Sequence, residues 1–180
     1  MKKWYLANSR SRVVSIILHT LLILGAYVFQ RMIFPYLRLY GLVPLLLPLA
    51  STGIAVYEGR DAGGIAGLFA GILCDVSFNE PTGVFTVLLT FLGLLAGMLT
   101  DSLIKRGFAS FFLCSVAVLV VCAFAQMFTL LFFERVPPRA LLMTALWQTA
   151  YSLIFVFPIW GFSRALGKRA QRFSASGRPL

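Results

Sequence analysis

Six acidic residues, one histidine and three cysteines are all that this 180-residue chain offers for acid–base, nucleophilic or metal chemistry. Carboxylate catalysis needs two such groups in one place, and nucleophilic catalysis needs a nucleophile beside a base. Asp75 and Asp101 each close a row of glycines four residues apart, and they fall at opposite ends of two successive apolar segments. On opposite sides of a membrane they cannot form a pair. His19 lies about two turns inside the first apolar run, with no acidic residue expected at its depth. A lone neutral imidazole of this kind reads as a hydrogen-bonding partner for another helix. Cys74, Cys114 and Cys122 sit inside apolar runs without C-x-x-C spacing, so they read as small packing residues. With no phosphate, nucleotide or metal motif in the chain, the expectation is a protein without cofactor, metal or catalytic residues, not an enzyme.

The elements that position these residues follow from composition. Apolar residues make up 59%, charged residues 12% and the mean hydropathy is +0.88, values that describe an integral membrane protein. At 180 residues, six spans of roughly 20 residues are possible, each crossing about 30 Å of hydrocarbon. Lys2, Lys3, Arg10 and Arg12 precede a first run, Val13 to Phe34, that lacks a small-x-small cleavage site and exceeds a signal h-region, so it is expected to stay as a span. The reading is an all-α protein of three parts: a basic N-terminus over 1–12, a six-span membrane domain over 13–163, and a basic tail over 164–180.

The second run, Leu39 to Tyr57, carries Pro44 and Pro48 on one face, which predicts a kinked helix packed inside the protein. The polar turn Glu58-Gly59-Arg60-Asp61 leads to a short third span, Ala62 to Phe78. Val84 to Ile104, Phe108 to Phe133 and Ala140 to Phe162 complete the set, the last two with lipid-facing aromatic and branched residues. Six spans place both termini on one side. That side carries twelve Lys and Arg, the other only Arg31, Arg38, Arg135 and Arg139, so the termini belong in the cytoplasm. The net charge of +10 therefore reads as orientation and contact of the basic tail with anionic headgroups, not as nucleic-acid binding.

Gly63, Gly67, Gly71 and Asp75 share one helical face, and Gly93, Gly97 and Asp101 repeat the pattern one span later. Small-x-x-x-small rows let helices approach closely, either within the chain or from a partner. Asp75 is expected to reach the interface, to cap the backbone of the turn from Asn79 to Gly83, or to meet a partner chain or a buried cation. Because the third span is short for a bilayer, its glycine face reads as an assembly surface, with Gly67, Gly71 and Asp75 at the centre and Gly63 and Gly83 in support. Gly93, Gly97 and Asp101 form a secondary packing face.

The order of these features resembles the bacterial rod shape-determining protein MreD family: a proline-bearing second span with Pro44 and Pro48, the turn at Gly59-Arg60, a helix closing on Gly71-x-x-x-Asp75, then Gly83, Gly93 and Gly97. The resemblance rests on residues 40 to 105; the first, fifth and sixth spans match only in number, length and hydrophobicity. It implies a non-enzymatic member of the peptidoglycan elongation machinery. Its partners would be the single-span MreC and, through it, MreB, RodA and a class B penicillin-binding protein. It also implies a fold like that of the S components of energy-coupling factor transporters. A substrate-binding S component for a vitamin or metal is accordingly the rival reading, with Arg31, Arg38, Asp75, Asn79, Glu80, Glu134, Arg135 and Arg139 as its external polar groups. Two departures stand beside the match: Ser77-Phe78-Asn79, where the family has smaller residues, and a second proline.

Overall fold

A computed structural model describes residues 16–33, 44–78, 83–102, 107–133 and 138–175, and every element among them is helical. In order these are α1 (Ile16–Met32), α2 (Leu46–Glu58), α3 (Arg60–Phe78), α4 (Val84–Ser102), α5 (Phe108–Phe133), α6 (Pro138–Ile154) and α7 (Val156–Ala175). Helices α4 and α5 are each long and apolar enough to cross a membrane, and α6 with α7 makes a third, broken span. The remaining helices miss that measure for identifiable reasons. At about 1.5 Å per residue, the 13 residues of α2 reach only about 20 Å. Helix α3 carries Arg60, Asp61 and Asp75. Arg38, Asn79, Glu80, Lys105, Arg106, Glu134 and Arg135 lie outside the described residues.

The core is built around α2, which is buried from Leu46 to Val56. A helix apolar on every side can only sit inside other helices, and α3, α4, α5 and α7 surround it. Ser51 and Thr52 donate their hydroxyls back to the Pro48 carbonyl at 2.9 and 2.7 Å, so neither brings an unsatisfied group into the core.

The prolines do not kink this helix. Pro44 precedes it, fully buried, and Pro48 occupies its first turn. The four leading N–H groups of a helix have no partner within it, and here they are accounted for one by one. Leu45 N–H donates to Ser152 Oγ (2.9 Å), and Leu46 and Leu47 N–H donate to Gln30 Oε1 (3.1 and 3.4 Å). The fourth position is Pro48, which has no N–H to satisfy. The expected kink is replaced by a helix start inside the protein, because a proline in the first turn removes an orphan donor and breaks no hydrogen bond.

Gln30 reaches this start from a π-helical turn, Phe29–Ile33, that ends α1. Its side chain is 4% exposed. Replacing Gln30 with Ala leaves two buried amides unpaired, at about 1–3 kcal/mol for each group abandoned. The expected result is a loss of about 2 kcal/mol in detergent–denaturant unfolding, with the helix content of the folded state unchanged. Wild-type stability in this variant would mean that α2 finds its cap elsewhere.

The sixth predicted span, Ala140 to Phe162, is also not continuous. It breaks at Phe155, with 44° between α6 and α7. Pro158 lies in the first turn of α7 and cannot donate to the carbonyl of Ile154, so the α6 ladder stops there. Ser152, buried at the end of α6, turns its hydroxyl to the Gln148 carbonyl (2.8 Å) while capping α2. Helix α7 then runs past the domain boundary expected at residue 163 as far as Ala175.

Candidate functional site

Helices α3 and α4 are antiparallel neighbours packed along their glycine rows. A Cβ on Gly67 would overlap the Leu89 carbonyl oxygen, and one on Gly71 would overlap the Thr86 Cα. A Cβ on Gly63 would stand 2.6 Å from the Gly93 carbonyl oxygen, and one on Gly93 would overlap the Gly63 carbonyl in return. On Gly97 it would lie 2.5 Å from Arg60 Cα. Each clash is with backbone, which cannot rotate aside as a side chain does. The two rows predicted separately are thus the two halves of one seam, and close approach of small-residue faces is what holds membrane helices together without a hydrophobic difference from lipid.

At one end of the seam, Asp75 holds the start of α4. Its Oδ1 accepts from Phe85 N–H (3.1 Å), and its Oδ2 accepts from Thr86 N–H (3.0 Å) and the Thr86 hydroxyl (2.5 Å). The carboxylate is 8% exposed. A negative group facing the first-turn amides of a helix is favoured by both the orphan donors and the dipole. At the other end Asp101, near the close of α4, accepts from Arg60 N–H at the start of α3 (3.2 Å). Each helix therefore caps the other through an aspartate four residues beyond its last seam glycine. The two carboxylates lie at opposite ends of the hairpin and are engaged with backbone amides, with no shared site between them.

Two further glycines have conformational roles. Gly59 joins α2 to α3 at φ +98°, a region closed to other residues, and Asp101 Oδ2 lies 2.8 Å from where its Cβ would be. Gly83 has φ +66° and open space around it, so it serves the turn into α4 and not the packing. Asp75 caps α4 itself at Phe85 and Thr86; the turn residues 79–82 lie outside the described residues.

The glycine face is consequently filled from within the chain by α4, which leaves no room on it for a helix from another protein. What α3 turns outward is the opposite face: Ile65, Leu68, Phe69, Ile72 and Val76, each at least 41% exposed and recurring at helical spacing. This row was absent from the expected site because apolar residues in an apolar span carry no contrast.

His19 also departs from expectation. Its Nε2 lies 3.7 Å from Glu58 Oε1 at the end of α2, so an acidic residue does stand at its depth. The sequence placed Glu58 in a polar turn, whereas the helix extends through it. At the opposite end of α1, Arg31 Nη1 donates to the Ser77 carbonyl near the close of α3 (3.2 Å). Of the external groups a ligand site would need, Arg31 and Asp75 thus both bind backbone. Cys74, Cys114 and Cys122 are buried free thiols.

Fold and site together define a helical membrane protein in which the buried side chains of Gln30, Asp75 and Ser152 cap helix starts inside the bundle. The family model for the rod shape-determining protein MreD matches residues 4–166. The chain belongs to the MreD family, a membrane-protein family of cell-shape determination. Comparison with curated proteins and with solved structures returned no match.

Proposed function

We propose that this protein is a non-enzymatic scaffold of the bacterial cell-elongation complex, a multi-pass protein of the inner membrane with six spans and both termini in the cytoplasm. In this reading it binds the single membrane helix of MreC, and MreB, RodA and a class B penicillin-binding protein assemble through that contact. Membership of a shape-determining family supports the role. The single observation that carries the geometry is the α3–α4 hairpin: sealed along one face and capped at both ends, it presents the outer row from Ile65 to Val76 as a firm apolar ridge. A partner helix gains packing against a ridge that is already ordered, since little side-chain or backbone freedom is then lost on binding.

A photo-crosslinker placed at Phe69, which is 52% exposed on that ridge, tests the assignment in living cells. It should capture MreC, whereas the same group at Leu113, exposed at 62% on α5, should capture at most a tenth as much. Equal capture at both positions, or capture of an ATPase-linked transporter subunit in place of MreC, would remove α3 from the account.

A further inference from the structure

The outward rows of the α3–α4 hairpin both end in acid. On α3 the exposed row of Ile65, Phe69, Ile72 and Val76 is preceded by Asp61, one turn before Ile65 and itself exposed. On α4 the exposed row of Val87, Phe91, Leu95 and Met98 is followed three residues later by Asp101. The helices run antiparallel, so both carboxylates stand at one end of the hairpin, where Asp101 accepts from Arg60 N–H. Glu58 ends α2 at the same level and faces His19 at 3.7 Å. Of these three acidic residues, Asp61 makes no hydrogen bond or ion pair among the described residues. It sits in the first turn of α3, whose start Asp101 already caps, so it is not needed there as a cap.

We infer that Asp61 receives a Lys or Arg from the cytoplasmic flank of the membrane helix that packs on this ridge, and that this ion pair sets the register of the partner. The inference rests on the ridge being the face that binds MreC. Charge selects among the possible occupants. Membrane helices carry Lys and Arg at their cytoplasmic ends, the side on which the proposed topology puts Asp61. An anionic headgroup would repel the carboxylate. A second copy of this chain, packed about a two-fold axis along the membrane normal, would bring one Asp61 toward the other. An apolar ridge alone lets a partner helix slide, whereas a charge at its end favours one position. Asp61 to Phe69 is about 12 Å of helix rise, so the partner residue opposite Phe69 lies about eight positions into the membrane from the cation.

The test is the photo-crosslinker at Phe69 in cells expressing MreC, with the captured MreC residue mapped by mass spectrometry and capture normalised to the amount of folded protein in the membrane. Asp61→Arg should lower capture about tenfold and Asp61→Asn about threefold. Asp61→Glu, which keeps the charge, and Arg60→Gln, which removes a neighbouring charge, should each stay within about twofold of wild type. Changing the Lys or Arg that lies about eight positions from the mapped residue to Glu, in MreC, should restore capture by Asp61→Arg. Full capture by Asp61→Arg, no restoration by the reciprocal reversal, or no Lys or Arg at that spacing would overturn the inference and leave the ridge as the MreC face. Capture at Phe69 of a second copy of this chain, in place of MreC, would overturn both.

Discussion

Gly67→Ala should abolish the folded hairpin, although it adds a single methyl group. The new carbon would overlap the Leu89 carbonyl oxygen and lie 2.8 Å from the Leu89 carbonyl carbon and 3.0 Å from Thr90 Cα. All three are backbone atoms of α4, so relief requires the helices to separate. Separation is resisted at both ends, because Asp75 and Asp101 tie each helix to the start of the other. Overpacking a tight core costs about 1–3 kcal/mol where side chains can adjust. Here they cannot, and the expected loss is at least about 3 kcal/mol, seen as failure to recover monodisperse protein in detergent. Gly161→Ala is the matched control: it lies on the exposed side of α7 with nothing within 4 Å, and it should be neutral or stabilising by up to about 1 kcal/mol. If the two variants unfold at the same denaturant concentration, the seam is not what holds α3 to α4.

Asp75→Ala should be the most damaging change to a polar side chain among the described residues. It deletes the acceptor of three hydrogen bonds and strands the Phe85 and Thr86 amides at a buried helix start. Hydrogen bonds to a charged group contribute about 1.5–3 kcal/mol each and are not additive, so the expected loss is about 3–5 kcal/mol. Asp75→Asn keeps one acceptor oxygen and should lose about half of this. Asp101→Ala removes an exposed cap that accepts from Arg60 N–H and should lose about 1 kcal/mol. The order Asp75→Ala, Asp75→Asn, Asp101→Ala in denaturant unfolding, with helix content recorded in parallel, checks the account. Asp75→Ala matching Asp101→Ala would show that the buried cap contributes no more than the exposed one.

Both variants act on residues legible in the chain itself. A glycine every fourth position followed by a carboxylate marks a helix face where side chains must be missing and where one charge needs a destination. That reasoning identified Gly63, Gly67, Gly71, Asp75, Gly93, Gly97 and Asp101 together. It did not pair them, because a row of glycines specifies closeness without specifying to what. The assembly surface expected on that face belongs to α4, and the outward ridge of Ile65, Leu68, Phe69, Ile72 and Val76 lies on the reverse.

Other departures have local causes. Pro158 could have signalled the break between α6 and α7, since a proline inside a helical run deletes one backbone bond wherever it falls. Pro44 and Pro48 misled in the opposite direction: the same rule predicts a kink in a helix interior and a clean start at a helix end, and periodicity alone does not say which. The starting point was decided by Gln30 and Ser152, which are 15 and 107 positions from Leu45 in the chain.

By itself, then, the sequence determined the membrane setting, the helical class, the family likeness and the two Gly-x-x-x-Gly-x-x-x-Asp faces, because hydropathy, charge placement and helical period are local properties. Only the tertiary structure decided that the faces mate with each other, that each aspartate caps the opposite helix, and that α2 begins inside the bundle. Those outcomes depend on which distant amides come within hydrogen-bonding distance of a side chain, and a capping oxygen selects its donors by position in space and not by spacing in the chain.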